Sequence, residues 1–546
     1  MFRRDFLSAF ALTVGAGVNG AGSAVPLLAA KTILDYGAKP DGLTLSTKAI
    51  QQAIDDVSSA GGGTVYAPPG VFLVGGLELK SRVTLYLEAG CVLLGSTSIG
   101  DYDYHPGPQI KFGTNGYHLL FARNADDVSL CGPGAIDGQG ETYWQAKVNR
   151  ALNAPSEAWR DILSQHYEAK DDSHRPSPMV EFVQCRNVRI SGVTLKNSPS
   201  WTLRPVGCDT VVIDGIRIRN PKIGLNTDGI DITCSQNVMV SNCDIATGDD
   251  AICLKSENPY GDLLSTKNVT ITNCVLNGGN GLKLGTASHG AFENIVFSNS
   301  VIYADSNSPL NTRCVGGIDI EVVDGGTADG IVISNIRMQN VWAPIFVRLG
   351  ARQRRAGTFL RNVLIENVDA TGAIITSSIT GVPGLRPSDI TVSNCRIRTD
   401  EQGQAEWFRR EIPEVPDQYP EAWMMGRLPA YGFFIRHADR VRLRNVECIT
   451  DKADGRPAIV CSDAKDLILA GLELTAPAGN AAPVELESVH RAFITGMRIP
   501  VGATVLAQIR GADSSGLSFA GNAFEPDRQS VVYTDGATAR ALGPGI

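Results

Sequence analysis

The chain has 546 residues, 43% of them hydrophobic and only 19% charged, with 58 Gly and 28 Pro; it is too apolar for disorder and long enough for a large core. Its 49 Lys and Arg against 57 Asp and Glu leave a formal charge of −8, which excludes nucleic acid and anionic lipid as natural partners. Beyond residue 30 no apolar run reaches the roughly 18 residues needed to span a bilayer, so no membrane is expected in the mature form.

The first segment reads as an address. MFRRDFLSAFALTVGAGVNGAGSAVPLLAAK sets Arg3-Arg4 ahead of Phe6-Leu7 and a Gly-interrupted apolar stretch, then supplies small residues at Ser23-Ala24 and Ala29-Ala30. This is an export leader of twin-arginine type over residues 1–30, and it sends the protein to the periplasm or out of the cell. Residues 31–546 are expected to form a single domain and to act as a monomer. Within it, Ser46 to Ala60 (STKAIQQAIDDVSSA) spaces Ala49, Ile50, Ala53, Ile54 and Val57 as one face of an amphipathic helix.

From residue 187 one pattern recurs: NVRISGVTL, TVVIDGIRI at 210, NVMVSNCDI at 237, NVTITNCVL at 268 and NIVFSNSVI at 294, with relatives as far as GLSFAGNAF at 516. The first starts lie 23, 27, 31 and 26 residues apart, and each unit alternates β-branched residues about a polar or Gly pair. That predicts an all-β chain, a right-handed parallel β-helix of the pectin-lyase-like solenoid kind, its open end covered by the helix at 46–60. The Asn of each "SN" pair is expected in a turn, where Asn tolerates a left-handed backbone. Three stretches break the period: 97–118, 138–178 with Trp144, Trp159 and His166, and 400–432 with Trp407, Phe408, Trp423 and Tyr431. They read as loops on one face, either walls of a carbohydrate groove or inserts packed on the barrel. The 12 cysteines fall mostly at repeat positions such as Cys185, Cys208, Cys234, Cys243, Cys274 and Cys395, so they are read as small core residues stacked in ladders.

The chemistry gathers in consecutive coils. Asn226-Thr227-Asp228-Gly229-Ile230-Asp231 precedes one strand pattern and Gly248-Asp249-Asp250 follows it, about one coil later. Asp228 then lies beside Asp249 and Asp250 on neighbouring rungs. Like charges held together raise one pKa, giving a protonated acid next to an ionised base, which glycoside hydrolysis needs. Three carboxylates also suit calcium, so a calcium-dependent pectate lyase is the rival, and a non-catalytic carbohydrate-binding β-helix is a second alternative.

Residues 32–375 resemble the polygalacturonase family, glycoside hydrolase family 28, through ILDYGAKPDGLTLSTKAIQQAI, GPGAIDGQG, NSPSWTL, NTDGID and GDDAICLKS in order. The resemblance implies a right-handed β-helix, hydrolysis with inversion and no metal or other cofactor. It makes Asp249 the general acid, with Asp228 and Asp250 activating water. Carboxyls roughly 6.5–9.5 Å apart would leave room for that water. Two departures stand out. Where the family carries GHG, Asn280 stands between Gly279 and Gly281; where it carries a basic RIK that grips galacturonate, this chain has Asp319-Ile320-Glu321. Asn226, Lys255, Asn280, Lys283, Asp319 and Glu321 are therefore the candidate substrate-binding residues, with Lys255, Lys283, Arg204 and Arg348 able to restore a positive subsite; His289 reads as a loop residue. The expected substrate is pectic or related plant poly- or oligosaccharide, cut at a neutral sugar such as rhamnose rather than at galacturonate.

Overall fold

A computed structural model describes residues 30–107, 115–146, 167–171, 175–222, 224–257, 265–305, 314–479, 481–523 and 529–543. The segment expected to be an export leader, Ala30 apart, lies outside the described residues, as do Trp159 and His166.

The repeat becomes coils of three short strands. One coil runs Val180–Val183, Arg186–Ser191 and Thr194–Lys196, and the next Leu203–Val206, Asp209–Asp214 and Arg217–Arg219; they pair in parallel, Val180 on Leu203, Val188 on Val211 and Leu195 on Ile218. Each coil is bonded to the next by backbone hydrogen bonds, so among the described residues 37 strands share one sheet wound into a right-handed parallel β-helix. Alternation decides what faces inward: in Gln236–Ser241, Val238 and Val240 are buried while Asn237 and Met239 face out.

Corners repeat as strictly as strands. Asn242, Asn273, Asn299, Asn335 and Asn394 of the "SN" and "NC" pairs, with Asn367 and Asn445 at the equivalent corners, all have φ between 51° and 58°. Their amides bond along the axis, Asn335 Nδ2 to Asn299 Oδ1 at 3.0 Å and Asn367 Nδ2 to Asn335 Oδ1 at 3.0 Å. A side chain that tolerates the left-handed corner thus also ties coils together. The cysteines are free thiols, Cys185 beneath Cys208 and Cys243 beneath Cys274. Cys234 leaves the ladder: Gln236 pairs with Asp209, so Ser235 takes the place above Cys208, and Cys234 turns into a corner with φ 50°.

The helix forms over Thr47–Ser59 and buries Ile50, Ala53, Ile54 and Val57 against Gly63–Ala67, Leu77–Leu79 and Val83–Leu87. It covers the first coil as its apolar face requires. The insertion near 400–432 lies along the outside of the barrel. Its Ala422, Met424, Met425 and Leu428 pack on Trp342, Phe346, Phe434 and Val460, a second apolar core separate from the one inside the coils.

Candidate active site

One outer face of the barrel carries the site. Register stacks its outward residues into columns: Glu181, Arg204, Asp231, Cys253, Lys283, Asp319 and Phe346 in one, Thr233 and Lys255, then Glu321 and Arg348, in its neighbour. At the entry to these strands Asp228 lies two residues before Ile230, Asp250 two before Ile252 and Asn280 two before Leu282. Ile230, Ile252 and Leu282 are in register, so those three residues also stack.

The NTD motif is a turn that locks two coils. Asn226 takes the left-handed conformation at φ 53°; Thr227, fully buried, donates to the Gly224 carbonyl and accepts from the Gly248 backbone N–H at 3.0 Å. Asp228 is thereby aimed at the following GDD turn. Gly248 allows that approach, since a β-carbon there would fall 2.4 Å from the Gly224 carbonyl oxygen. One oxygen each from Asp228, Asp249 and Asp250 lies within 4.8 Å of the others. Register places Asp228 directly beneath Asp250, which brings their oxygens together.

Asn280 holds Asp250 in place. Its Nδ2 donates to Asp250 Oδ1 at 2.7 Å and its Oδ1 accepts from the Gly316 N–H at 2.8 Å. Its amide is committed to the protein on both sides, so the expected substrate contact becomes a positioning role. Asn226 also faces protein, its Oδ1 accepting from Arg175 at 3.4 Å.

Two lysines serve many acids. Lys255 Nζ lies 3.3 Å from Asp231, 3.9 Å from Asp228 and 4.8 Å from the centre of the Trp201 ring; Lys283 Nζ lies 4.0 Å from Glu321, 3.6 Å from Glu421 and 5.2 Å from the Tyr419 ring. Burial would strip both of charge, but the surrounding carboxylates hold their pKa values well above normal. The acids feel the reverse. Burial, then the charge of Asp250, raises Asp249 to about 6, and burial with Asp231, Asp249 and Asp250 around it holds Asp228 well above the carboxylate range. Asp319 and Glu321, 3% and 0% exposed, are raised chiefly by burial, and Glu421 is pushed up to about 7 for the same reason.

This cluster is costly to fold. Eight carboxyls, Asp228, Asp231, Asp249, Asp319, Glu181, Glu321, Glu421 and Glu485, carry raised pKa values, with burial the first cause in each. The folded chain binds more protons than the unfolded one from about pH 4 to 7, so their stability contribution is fully present below pH 4 and lost as pH rises through the raised values. His105, His118 and His289 are lowered by burial and oppose this below pH 6.5, but they are three groups against eight. The urea midpoint is expected to be higher at pH 5 than at pH 7.5. A higher midpoint at pH 7.5 would mean that these carboxyls ionise in the fold without penalty.

The other basic candidates are occupied. Arg204 donates to Glu181 at 3.1 Å and to Thr233 at 3.2 Å, and its guanidinium lies 5.3 Å from the Trp201 ring. Arg348 donates to the Gly381, Glu414 and Val415 carbonyls and to Thr380. Neither is free to grip a sugar carboxylate. His289 sits at the barrel's turn with Gln353 and Arg355. Asp231, Trp201, Tyr419 and Glu421 were not singled out as site residues from sequence. Adding one coil length back from Lys283 and Cys253 would have found Asp231; Tyr419 and Glu421 come from an insertion that has no period.

A β-helix on which three carboxyls converge, with Asp249 raised to about 6, has the make-up of an O-glycosyl hydrolase. The model of glycosyl hydrolases family 28 matches residues 65–407, and the chain belongs to that family. Residues 31–94 also match a rhamnogalacturonase A/epimerase, pectate lyase-like model. A probable polygalacturonase of Vitis vinifera is 28% identical over 441 residues, 73% of this chain and 83% of its own. An endo-polygalacturonase of Pectobacterium carotovorum subsp. carotovorum is 25% identical over 371 residues, 66% and 86% of the two chains. Among solved structures, an exopolygalacturonase from Thermotoga maritima superposes with a TM-score of 0.56 at 25% identity, covering 68% of this chain and 87% of that one. A family 28 exopolygalacturonase from Yersinia enterocolitica shares the fold with a TM-score of 0.57 at 21% identity, covering 83% and 79%.

Proposed function

We propose that the protein is an exported, monomeric hydrolase of pectic or related plant polysaccharide, in which Asp249 protonates the leaving oxygen while Asp228 and Asp250 hold the attacking water. The observation that carries this is the convergence of the three carboxyls, with Asp249 raised to about 6 by burial. Asp249 can then deliver a proton near neutral pH. Lys255 sits on the Asp228 side and Lys283 on the far side, so the trio is polarised rather than symmetrical. The leader fits an enzyme whose polymeric substrate stays outside the cell.

Water held by the Asp228–Asp250 pair gives a proton to that pair and attacks the anomeric carbon from the face opposite Asp249; the glycosidic bond breaks, its oxygen leaves with the proton of Asp249, and the product has the inverted configuration. The close approach of one oxygen from each acid makes this the point to test. Proton NMR of the first sugar released, read before mutarotation, is expected to show inversion; retention would mean that one aspartate attacks carbon and that the water assignment is wrong. The same oxygens would also suit a calcium ion with Lys255 as the base of a lyase. Activity is expected to survive chelators and to yield saturated reducing ends. Strict calcium dependence with unsaturated products would support that second reading instead.

We also propose that the sugar at the Asp319–Glu321 end is neutral. Asp319, Glu321 and Glu421 line that side of the trio, and the ammonium group beside them, Lys283, is already shared between Glu321 and Glu421. Buried, protonated carboxyls donate to and accept from hydroxyls, which is the chemistry of a neutral sugar such as rhamnose.

A further inference from the structure

We infer that the site is a closed-ended pocket and that the enzyme removes single sugars from a chain end, with Tyr419 and Glu421 forming the end wall. This rests on the hydrolase reading above and goes beyond it by fixing where on the polymer the cut falls. A polysaccharide that followed the coil axis across the carboxylates would have to lie on the outward columns of the sheet. Those columns are covered on both sides of the trio. Toward the N-terminus, Phe121, Glu181 and Arg204 are 2%, 1% and 0% exposed, roofed by His105 stacked 4.1 Å from Phe121 and by Trp201 over Arg204. Toward the C-terminus, Lys283, Asp319, Phe346, Ser378, Phe434 and Val460 are each 4% exposed or less. The first of them stands one coil, about 4.8 Å, beyond Cys253.

The C-terminal roof is the 400–432 insertion, and it is fastened. Outward arginines of the sheet hold its backbone: Arg348 donates to the Glu414 carbonyl at 2.7 Å, and Arg436 to those of Ile412 at 2.7 Å and Pro413 at 2.8 Å. Arg456 pairs with Glu401 at 3.0 Å and stacks on Trp407. Its Met424 and Met425 are buried in the second apolar core, so the roof has its own packing. From this fixed edge Glu421 reaches Lys283, and Tyr419, half exposed, lies over Lys283 and Arg352. Both residues fall after residue 407, where the family match stops. The wall is therefore a feature of this chain rather than of the matched family core.

The test uses the full mature protein on defined pectic oligosaccharides of increasing length, labelled at the reducing end, and on the parent polymers. Expected is one monosaccharide and a chain shortened by one at every stage, with reducing ends accumulating while polymer viscosity hardly falls. Mid-chain fragments with an early collapse of viscosity, from an enzyme that otherwise hydrolyses well, would overturn this inference and leave the hydrolase reading standing. Loss of both, with no hydrolysis of any pectic substrate, would overturn the two together. Tyr419→Ala, at a half-exposed position that leaves the core alone, is expected to raise KM for the oligosaccharides about tenfold with a smaller change in kcat. Unchanged kinetics would remove Tyr419 from the wall.

Discussion

Asp249→Asn and Asp250→Asn are each expected to lower kcat about a thousandfold or more while leaving the barrel folded. An amide has nearly the shape of the carboxyl but can neither deliver a proton nor ionise to accept one, and positioned acid–base groups contribute about 10²–10⁴ in rate. The local bonds tolerate the change. Asp249 Oδ1 accepts from the Asp250 backbone N–H at 3.0 Å and Asp250 Oδ1 accepts from Asn280, roles an amide oxygen fills as well. Asp249→Asn removes a carboxyl whose ionisation burial disfavours, so its thermal midpoint at pH 7.5 is expected to equal or exceed the wild type's. A dead but more stable enzyme separates catalysis from folding. Wild-type activity is expected to fall about tenfold per pH unit above an apparent pKa near 6, as Asp249 loses its proton. The residual activity of Asp249→Asn lacks that limb. Near-native turnover by either folded variant would remove the acid and base assignments.

The fold was legible because its physics is periodic. Strand alternation at 23 to 31 residue spacing fixes which side chains fill the barrel, and the Asn of each "SN" pair marks a left-handed corner whether or not anything else is known. The helix at Thr47–Ser59 announced its buried face by spacing alone. The same logic brought Asp228, Asp249 and Asp250 together, since they recur one coil apart and register does the rest. What depends on partners was less legible. Asn280 replaces a histidine in sequence, but only the geometry shows that its two amide ends are spent on Asp250 and Gly316. Arg204 and Arg348 looked as free as Lys283 until Glu181 and the 414–415 carbonyls were found on them. The insertion was legible as a break in the pattern and nothing more. Its fold is set by Met424, Met425 and Leu428 meeting Trp342, Phe346 and Phe434, contacts between segments far apart in sequence that no local spacing encodes. Glu421 and Tyr419 came into the site by that route.

Wild-type enzyme is expected to act at least a hundredfold less efficiently on unsubstituted polygalacturonate than on a pectic chain ending in a neutral sugar. The carboxylate of Asp319 lies over Gly316 so closely that a β-carbon there would fall 1.9 Å from its Oδ2. Register puts Asp319 directly above Lys283, and Glu321 and Glu421 lie 4.0 Å and 3.6 Å from the same ammonium. A galacturonate carboxylate entering here meets in Lys283 a cation already shared between Glu321 and Glu421. It also forces a choice on the acids around it: they stay protonated and offer only neutral hydrogen bonds, or they ionise and repel it. At an effective dielectric near 20, unit charges 4 Å apart interact by about 4 kcal/mol, so a part of that difference suffices for a hundredfold. Asp319→Arg with Glu321→Lys would reverse the sign, but both positions are buried beneath the insertion and larger side chains strain the packing. Asp319→Asn with Glu321→Gln keeps the shape and removes both acids. It leaves Glu421 as the partner of Lys283 and removes the acids that would repel an incoming carboxylate, so the ratio of kcat/KM for galacturonate over neutral-ended oligosaccharides is expected to rise about tenfold. Efficient wild-type cleavage of polygalacturonate would overturn the argument, because Lys283 or Lys255 would then have to leave its acids for the substrate.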